Sequence, residues 1–450
     1  MRLWLKMVLV GAMTLVIMIP LAMVNGLIAE RQSYRRQAVD DVMRSYAGAQ
    51  AVTGPVLIIP YTEWVDAAET GPDGVARGAR KRRASSLTVF PTRLQAQGPI
   101  TPATRRRGLY QVPVYEWAAA LQADFDVLVP DGLPGAERTY GAPVLSYAIT
   151  DVRGLHGDPR LRIGGRDAVL REGSGRRDAS GIHAALATPG VGTRITFETR
   201  LDMKLAGTRS LSVVPIGKRN TIDIESRWPH PSFQGLSPWR RTVSDAGFSA
   251  QWQVASVATD AQRQYLAGAT ATPVGLTAHT APAGLDALGV VLADPVDAYT
   301  MADRATKYGI VFVVLTFAGF FMFEMTRQRP IHPIQYGLVG LALVIFFLLL
   351  VSLSEHVRFG LAYLVAGSAC IGLIGFYLSA VLRSALRGAV FAGALAALYA
   401  ALYGLLISED NALVLGAGLL FAILGGLMIA TRHVDWYRVA ATGATGEPRG

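Results

Sequence analysis

The chain has 450 residues, of which 51% are hydrophobic and 17% charged, a balance too apolar for an ordinary soluble enzyme. Its 43 Lys and Arg against 33 Asp and Glu give a net charge of +10; that would suit nucleic acid in a soluble protein, but it is also what cytoplasmic loops rich in Lys and Arg produce. The single cysteine, Cys370, lies in an apolar run, which excludes an intrachain disulfide, a CxxC redox pair and a thiolate metal cluster.

The first apolar stretch runs from about Met7 to Ile28. Arg2 and Lys6 resemble the n-region of a secretory signal, but the stretch is longer than a signal core and no clean A-x-A site follows before Glu30 and Arg31. An uncleaved anchor is expected. Just beyond it, Tyr34, Ala38, Val42, Met43 and Tyr46 recur at helical spacing between charged residues, so the anchor helix continues or restarts outside the membrane.

From there to about residue 306 the pattern is mostly that of β structure. The clearest strand is Ile195 to Leu205, where apolar and polar residues alternate. Phe248, Ala250, Trp252 and Val254 alternate likewise, as do Ile222 and Ile224, and Leu109 to Tyr115 and Phe125 to Val129 make further short candidates. Short strands punctuated by Gly and Pro favour antiparallel sandwiches over a parallel sheet with crossover helices. Gly71 to Arg83, Arg162 to Ser180 and Ala267 to Gly284 have the composition of loops.

Five more spans are expected at about Tyr308 to Met325, Tyr336 to Leu353, Gly360 to Leu382, Ala389 to Ile407 and Ala412 to Ala430. The turns at 326–333 and 383–387 and the tail from Arg432 carry arginines, whereas the turns Ser354 to Arg358 and Ser408 to Asn411 carry one basic residue between them. Both termini are therefore expected in the cytoplasm and the 30–306 block outside, which removes nucleic acid as its partner. The expected architecture is an α+β membrane protein of six transmembrane helices, one N-terminal and five C-terminal. A large β-rich, sandwich-like extracytoplasmic domain is inserted after the first helix. The divisions are 1–29 anchor, 30–306 β domain with a short N-terminal helix, 307–432 bundle and 433–450 cytoplasmic tail.

The chain contains no GxxxxGK[ST] phosphate cradle, no HExxH metal helix and no GxSxG elbow, and its seven histidines lack ligand spacing. No catalytic, cofactor or metal residue is assigned, and no cofactor is expected. Arg80 to Arg83 and Arg105 to Arg107 could meet anionic lipid or envelope polymers, or be solvated loop charges. Trp228, His230, Phe233 and Trp239 lie in a stiff, Pro-rich aromatic stretch, either a partner-binding knob or a corner that plugs the core. Glu355 with His356, and Glu409 with Asp410, fall at the two outer turns; they could contact basic groups, gate a polar path or be ordinary turn residues. Glu324 sits three residues before Arg327, a spacing that explains it as a helical ion pair. Gly393, Ala397 and Ala401 read as a helix-packing seam. No carboxylate, lysine or histidine falls near the middle of a span, which disfavours ion-coupled transport.

Several segments resemble one family. Glu30 to Arg35, Thr53 to Leu57, Gly108 to Tyr115, Trp228 to Phe233 and Gly247 to Trp252 do so in the first part of the chain. Asp294 to Tyr299, Arg304 to Gly309, Ile331 to Tyr336, Leu353 to His356, Ser408 to Asp410 and Val434 to Tyr437 do so in the second. All are similar to the inner-membrane CreD family, in order along most of the chain, and the likeness fades in 65–105 and 160–190. The resemblance implies a multi-pass inner-membrane protein linked to cell-envelope integrity, in a family associated with a two-component envelope and metabolic response system. It supplies no catalytic residue. The function expected is non-enzymatic envelope maintenance or stress response: the periplasmic β domain binds or senses an envelope component or a membrane-protein partner, and the lipid bilayer holds the helices. The alternative is a membrane enzyme or lipid-handling protein that uses the outer turns. Oligomeric state is not legible.

Overall fold

The computed structural model describes residues 3–70, 76–131, 138–176, 179–275, 284–292, 298–327, 332–408 and 412–431. The chain divides into two compact units, one of Met1–Arg36 with Val296–Gly450 and one of Gln37–Pro295. Helix α1 (Leu3–Ser45) passes through the division without a break. At 1.5 Å per residue it is roughly 65 Å long, about twice the hydrocarbon thickness, so the polar helical repeat after Ile28 is the same helix continued.

In the first unit α1 is joined by α3 (Ala298–Arg327), α4 (Pro333–Ser354), α5 (Phe359–Val381), α6 (Ala385–Ile407) and α7 (Ala412–Thr431), whereas the short α2 (Ala261–Leu266) belongs to the second unit. Among the described residues five helices are long and apolar enough to cross a membrane, namely α1, α3, α4, α5 and α6. α7 occupies the stretch where the sixth span is expected. The surface of these helices has the chemistry of a lipid-facing one: Leu338, Leu341, Ile345 and Leu348 run exposed down α4 at spacings of three and four, a stripe that water would penalise.

One sequence reading changes here. Gly393 and Ala397 are exposed, and a Cβ on Gly393 would meet nothing within 4 Å; the buried face of α6 is instead Leu395, Tyr399, Leu402 and Leu406. Glycines are closely packed elsewhere, Gly340 by the Ile17 and Phe317 side chains and Gly388 by the Ser379 backbone. Glu324 is buried and accepts a hydrogen bond from the Tyr336 hydroxyl at 3.1 Å, while the side chain of Arg327, its expected ion-pair partner, lies outside the described residues. The family-like His332-Pro333-Ile334-Gln335 segment is a helix start. His332 Nδ1 accepts the Ile334 N–H, Gln335 Oε1 accepts the His332 N–H, and Pro333 takes the first turn, the position where its missing donor costs nothing.

The second unit is built on two sheets. Its strands in chain order are β1 (Gln50–Thr70), β2 (Ala76–Val89), β3 (Arg93–Arg107), β4 (Tyr110–Leu128), β5 (Arg138–Tyr140), β6 (Val144–Ile149), β7 (Leu155–Ile163), β8 (Arg166–Ala168), β9 (Arg171–Glu172), β10 (Gly181–Ala185), β11 (Arg194–Thr208), β12 (Ser210–Val213), β13 (Arg219–Ser226), β14 (Pro231–Gln234), β15 (Arg240–Ser244), β16 (Gly247–Ala255) and β17 (Leu288–Leu292). One sheet runs β14-β17-β12-β1-β6-β10-β9 with β2 and β5 on β1; the other runs β15-β16-β13-β3-β4-β11-β7-β8. Pairing is antiparallel except for β1 with β12 and β3 with β13. The apolar faces of both sheets meet in one cluster, to which the first sheet brings Leu57, Ile59, Tyr147 and Leu211 and the second Trp117, Leu121, Leu201 and Trp252.

The strands are longer than expected. Leu109 to Tyr115 and Phe125 to Val129 fall almost wholly on one strand, β4, because the small Ala118 to Ala120 hides an alternation of buried and outward positions that runs from Tyr115 to Leu128. The stretch expected as a loop from Gly71 to Arg83 is strand from Ala76 onward, paired along β1 from Thr70 back to Leu57; residues 71–75 lie outside the described residues. The 162–180 stretch contains the short strands β8 and β9, and 267–275 has no regular structure.

Candidate functional site

The candidate residues fall in three places. At the outer-turn position, Glu355 closes the C-terminus of α4. Its carboxylate is one-tenth exposed and accepts a hydrogen bond from the Tyr299 hydroxyl on α3 at 3.0 Å, with Arg31 Nε of α1 at 3.7 Å. Three helices thus converge on one carboxylate, which answers the desolvation of the acid with a cation and a donor. His356 is exposed, and its Nδ1 lies 3.1 Å from the Ser352 carbonyl oxygen, so it closes a helix end. Glu409 and Asp410 lie outside the described residues. Sequence reading found Glu355 but missed its partners; Arg31 and Tyr299 lie in family-like segments far apart in the chain, and no local spacing links them.

The aromatic stretch of 228–239 carries the chain from one sheet to the other. β14 pairs with β17 in the first sheet and β15 with β16 in the second, and the crossover between them is fixed by the Trp252 indole, whose Nε1–H donates to the Leu236 carbonyl at 2.8 Å. Phe233 stands edge-on to Phe248 and Trp252 with ring centroids 5.7 and 5.8 Å apart, and Trp228 is packed on the same core. Trp239 remains 66% exposed and His230 is exposed as well. The corner reading therefore describes Trp228 and Phe233, while Trp239 is left as the only large aromatic side chain of the stretch facing outward.

The third place is a groove of about 650 Å³ in the second sheet, lined by Ile100, Glu225, Arg227, Thr242, Phe248 and Ser249 among others, a volume within the range of small-molecule sites. Gly247 lies in it at φ +136°; a Cβ there would stand 2.1 Å from the Ser226 carbonyl oxygen, so only glycine fits. The sequence shows Phe248 as a strand residue and Gly247 to Trp252 as a family-like segment but links none of these residues to a site, because only strand register brings them together.

The C-terminal end of α1 is tied into the same unit. Arg153 donates from Nη1 to the Arg44 carbonyl at 2.5 Å and pairs with Asp151 at 2.6 Å, and Asp151 accepts the Gly48 N–H at 2.9 Å. The Arg153 guanidinium, aided by the Gly48 and Arg153 backbone donors, holds the Asp151 carboxyl below the usual range against the opposing effect of burial. Arg107 approaches Asp41 at 3.7 Å, Arg105 lies over the Tyr46 ring, and Val42 packs on Val112 and Val114. Arg105 and Arg107 are thus strand residues that grip the helix. Lys81 to Arg83 are exposed on β2. No group of His, Cys, Asp and Glu among the described residues could hold a metal ion.

Residues 2–437 match the family described as inner membrane protein CreD. The inner membrane protein CreD of Escherichia coli strain K12 is 34% identical over 436 residues, covering 96% of this chain and 93% of that one. Solved structures give only partial likeness. An M1 zinc metallopeptidase from Deinococcus radiodurans shares 10% identity over 36% of this chain and 38% of its own, with a TM-score of 0.18. Leukotriene A4 hydrolase from Saccharomyces cerevisiae shares 11% over 36% and 26%, with a TM-score of 0.20. At such scores neither carries an argument about this chain.

Proposed function

Because the chain belongs to the CreD family of inner membrane proteins, we propose that it maintains the cell envelope without catalysis: six helices span the inner membrane with both termini in the cytoplasm, and the β-rich unit, a sandwich in the periplasm, binds or senses an envelope component. The observation that carries this reading is α1. Its apolar part is a membrane span, and its last turns are held to the β unit by Arg153, Arg105, Arg107 and Val42. A change of state in the unit therefore has an unbroken helix through which to act. The open groove supplies a place where such a component could bind.

The alternative, chemistry or lipid handling at the outer turns, loses support because the Glu355 carboxylate is already engaged by Tyr299 and Arg31. Deleting the gene and measuring envelope permeability and tolerance of envelope stress tests the proposal. Raised permeability, reversed by the intact gene, is expected; unchanged permeability and tolerance would overturn it.

A further inference from the structure

β13 leaves its sheet before its neighbour β3 does. It pairs with β3 as far as Ser226 beside Ile100 and with β16 as far as Ser226 beside Phe248, and the chain then departs through Arg227 toward β14 in the other sheet. β3 runs on from Thr101 to Arg107, over roughly 20 Å, paired with β4 alone. Thr104 stands opposite Pro113, which has no N–H, so the pair cannot exchange hydrogen bonds and the Thr104 N–H and C=O point away from β4. Pro102 and Arg106, two positions to either side, share that orientation. The free side of β3 therefore presents the Pro102 carbonyl and then the donors and acceptors of Thr104 and Arg106, none with a backbone partner among the described residues.

Backbone amides and carbonyls repeating at two-residue spacing are the complement of another extended chain. The strip is open to one. α1 packs on this hairpin through Val42 against Val112 and Val114, yet Ala103 to Arg107 remain exposed. The 650 Å³ groove lies at the head of the strip, with Thr101 and Pro102 on the β3 bank, Arg227 where β13 ends, and Ser244 and Gly247 on the far bank. The terminal strands β8, β14 and β15, by contrast, are only three to five residues long, the length at which an edge templates little. Charge narrows the occupant further. Arg107 is answered by Asp41 and Arg105 by the Tyr46 ring, but Arg106 and Arg227 are exposed with no acid in ion-pair range among the described residues, and Glu225 is the lone acid in the groove lining. A second copy of this edge would lay one arginine run beside another, so the cations that oppose self-pairing select an acidic strand.

We propose that the β3 edge from Pro102 to Arg106 takes up an extended acidic segment of another protein, added as a strand along the line that β13 vacates, with its carboxylates on Arg106 and Arg227. The inference rests on the reading that the β unit binds an envelope component, and it gives that component's chemistry as polypeptide.

The test is fluorescence anisotropy of a labelled peptide of alternating glutamate and valine, titrated with the full-length protein in nanodiscs of zwitterionic lipid. Saturable binding is expected, weakened about tenfold or more by Thr104→Pro, which removes an outward donor and spares the β3–β4 ladder, and by Arg106→Glu with Arg227→Glu. Thr104→Ser keeps the donor and should bind as the unaltered protein does. The same peptide N-methylated at every residue should also bind about tenfold more weakly, a measurement that decides the matter if Thr104→Pro does not fold. No saturable binding by the unaltered protein would overturn the proposal. So would binding that N-methylation or folded Thr104→Pro leaves unchanged, equal binding of a lysine and valine peptide, or self-association lost in Thr104→Pro in place of peptide binding. A failure here that leaves the deletion phenotype intact would remove the partner class and spare the envelope role.

Discussion

The Tyr299 hydroxyl donates a 3.0 Å hydrogen bond to the Glu355 carboxylate, joining the start of α3 to the end of α4. Arg31 of α1 stands on the same oxygen, so one carboxylate ties the start of α3 and the end of α4 to a point within α1. Tyr299→Phe should lower the unfolding midpoint of the detergent-solubilised protein modestly. In a cycle with Glu355→Gln the coupling should be about 1 kcal/mol, the scale of hydrogen bonds between membrane helices. A coupling of zero would mean that the contact does not hold the bundle.

The hold of α1 on the β unit depends on pH through Asp151. Its carboxyl titrates below the ordinary range in the folded state because Arg153 favours the charged form. The stabilisation is therefore complete above the unfolded carboxyl range near pH 4 and is lost as pH falls through the lower folded value. Asp151→Asn should destabilise the protein at neutral pH by about 2 kcal/mol and flatten its acid limb. Unfolding midpoints measured from pH 7 down to pH 3 check both; an unchanged acid limb would contradict the assignment.

Gly98 is at φ +144°, and a Cβ there would sit 1.9 Å from the Ala118 carbonyl oxygen, while its own carbonyl accepts the Trp117 indole N–H at 3.1 Å. Gly98→Ala should therefore force β3 and β4 apart and cost about 3 kcal/mol. Denaturant unfolding followed by tryptophan fluorescence would show it, and wild-type stability would refute the strain.

How far the sequence could be read followed from the range of each signal. Spans such as α4 announce themselves because lipid demands a continuous apolar run, and β11 shows in the alternation from Ile195 to Leu205 because one face is half-buried to Phe197 and buried from Thr199 on. β4 reads as two strands because alanines at 118–120 satisfy either face. The Gly71 to Arg83 stretch has a loop's composition although β2 begins at Ala76, because its basic run lies along a strand. The open edge of β3 and the engagement of Glu355 were hidden for another reason: both are products of register and helix packing, which pair residues at separations that no local pattern encodes.

The corner between the sheets separates the two readings of the aromatic stretch. Phe233 fills an edge of the core against Phe248 and Trp252, with the Arg241 guanidinium 5.9 Å above its ring, so Phe233→Ala should cost about 2 kcal/mol through lost contacts and a partly collapsed cavity. Trp239 is mostly exposed and buries little that truncation would lose, so Trp239→Ala should change stability by less than about 0.5 kcal/mol. If stability alone explains the stretch, only Phe233→Ala should reproduce the deletion phenotype, in proportion to its loss of folded protein in the membrane. If Trp239→Ala disturbs envelope function at wild-type stability and abundance, then the exposed indole is a contact for something outside the chain. Paired measurements of unfolding midpoint, membrane abundance and envelope permeability on the two variants distinguish these outcomes, because burial separates the two side chains although only six positions divide them in sequence.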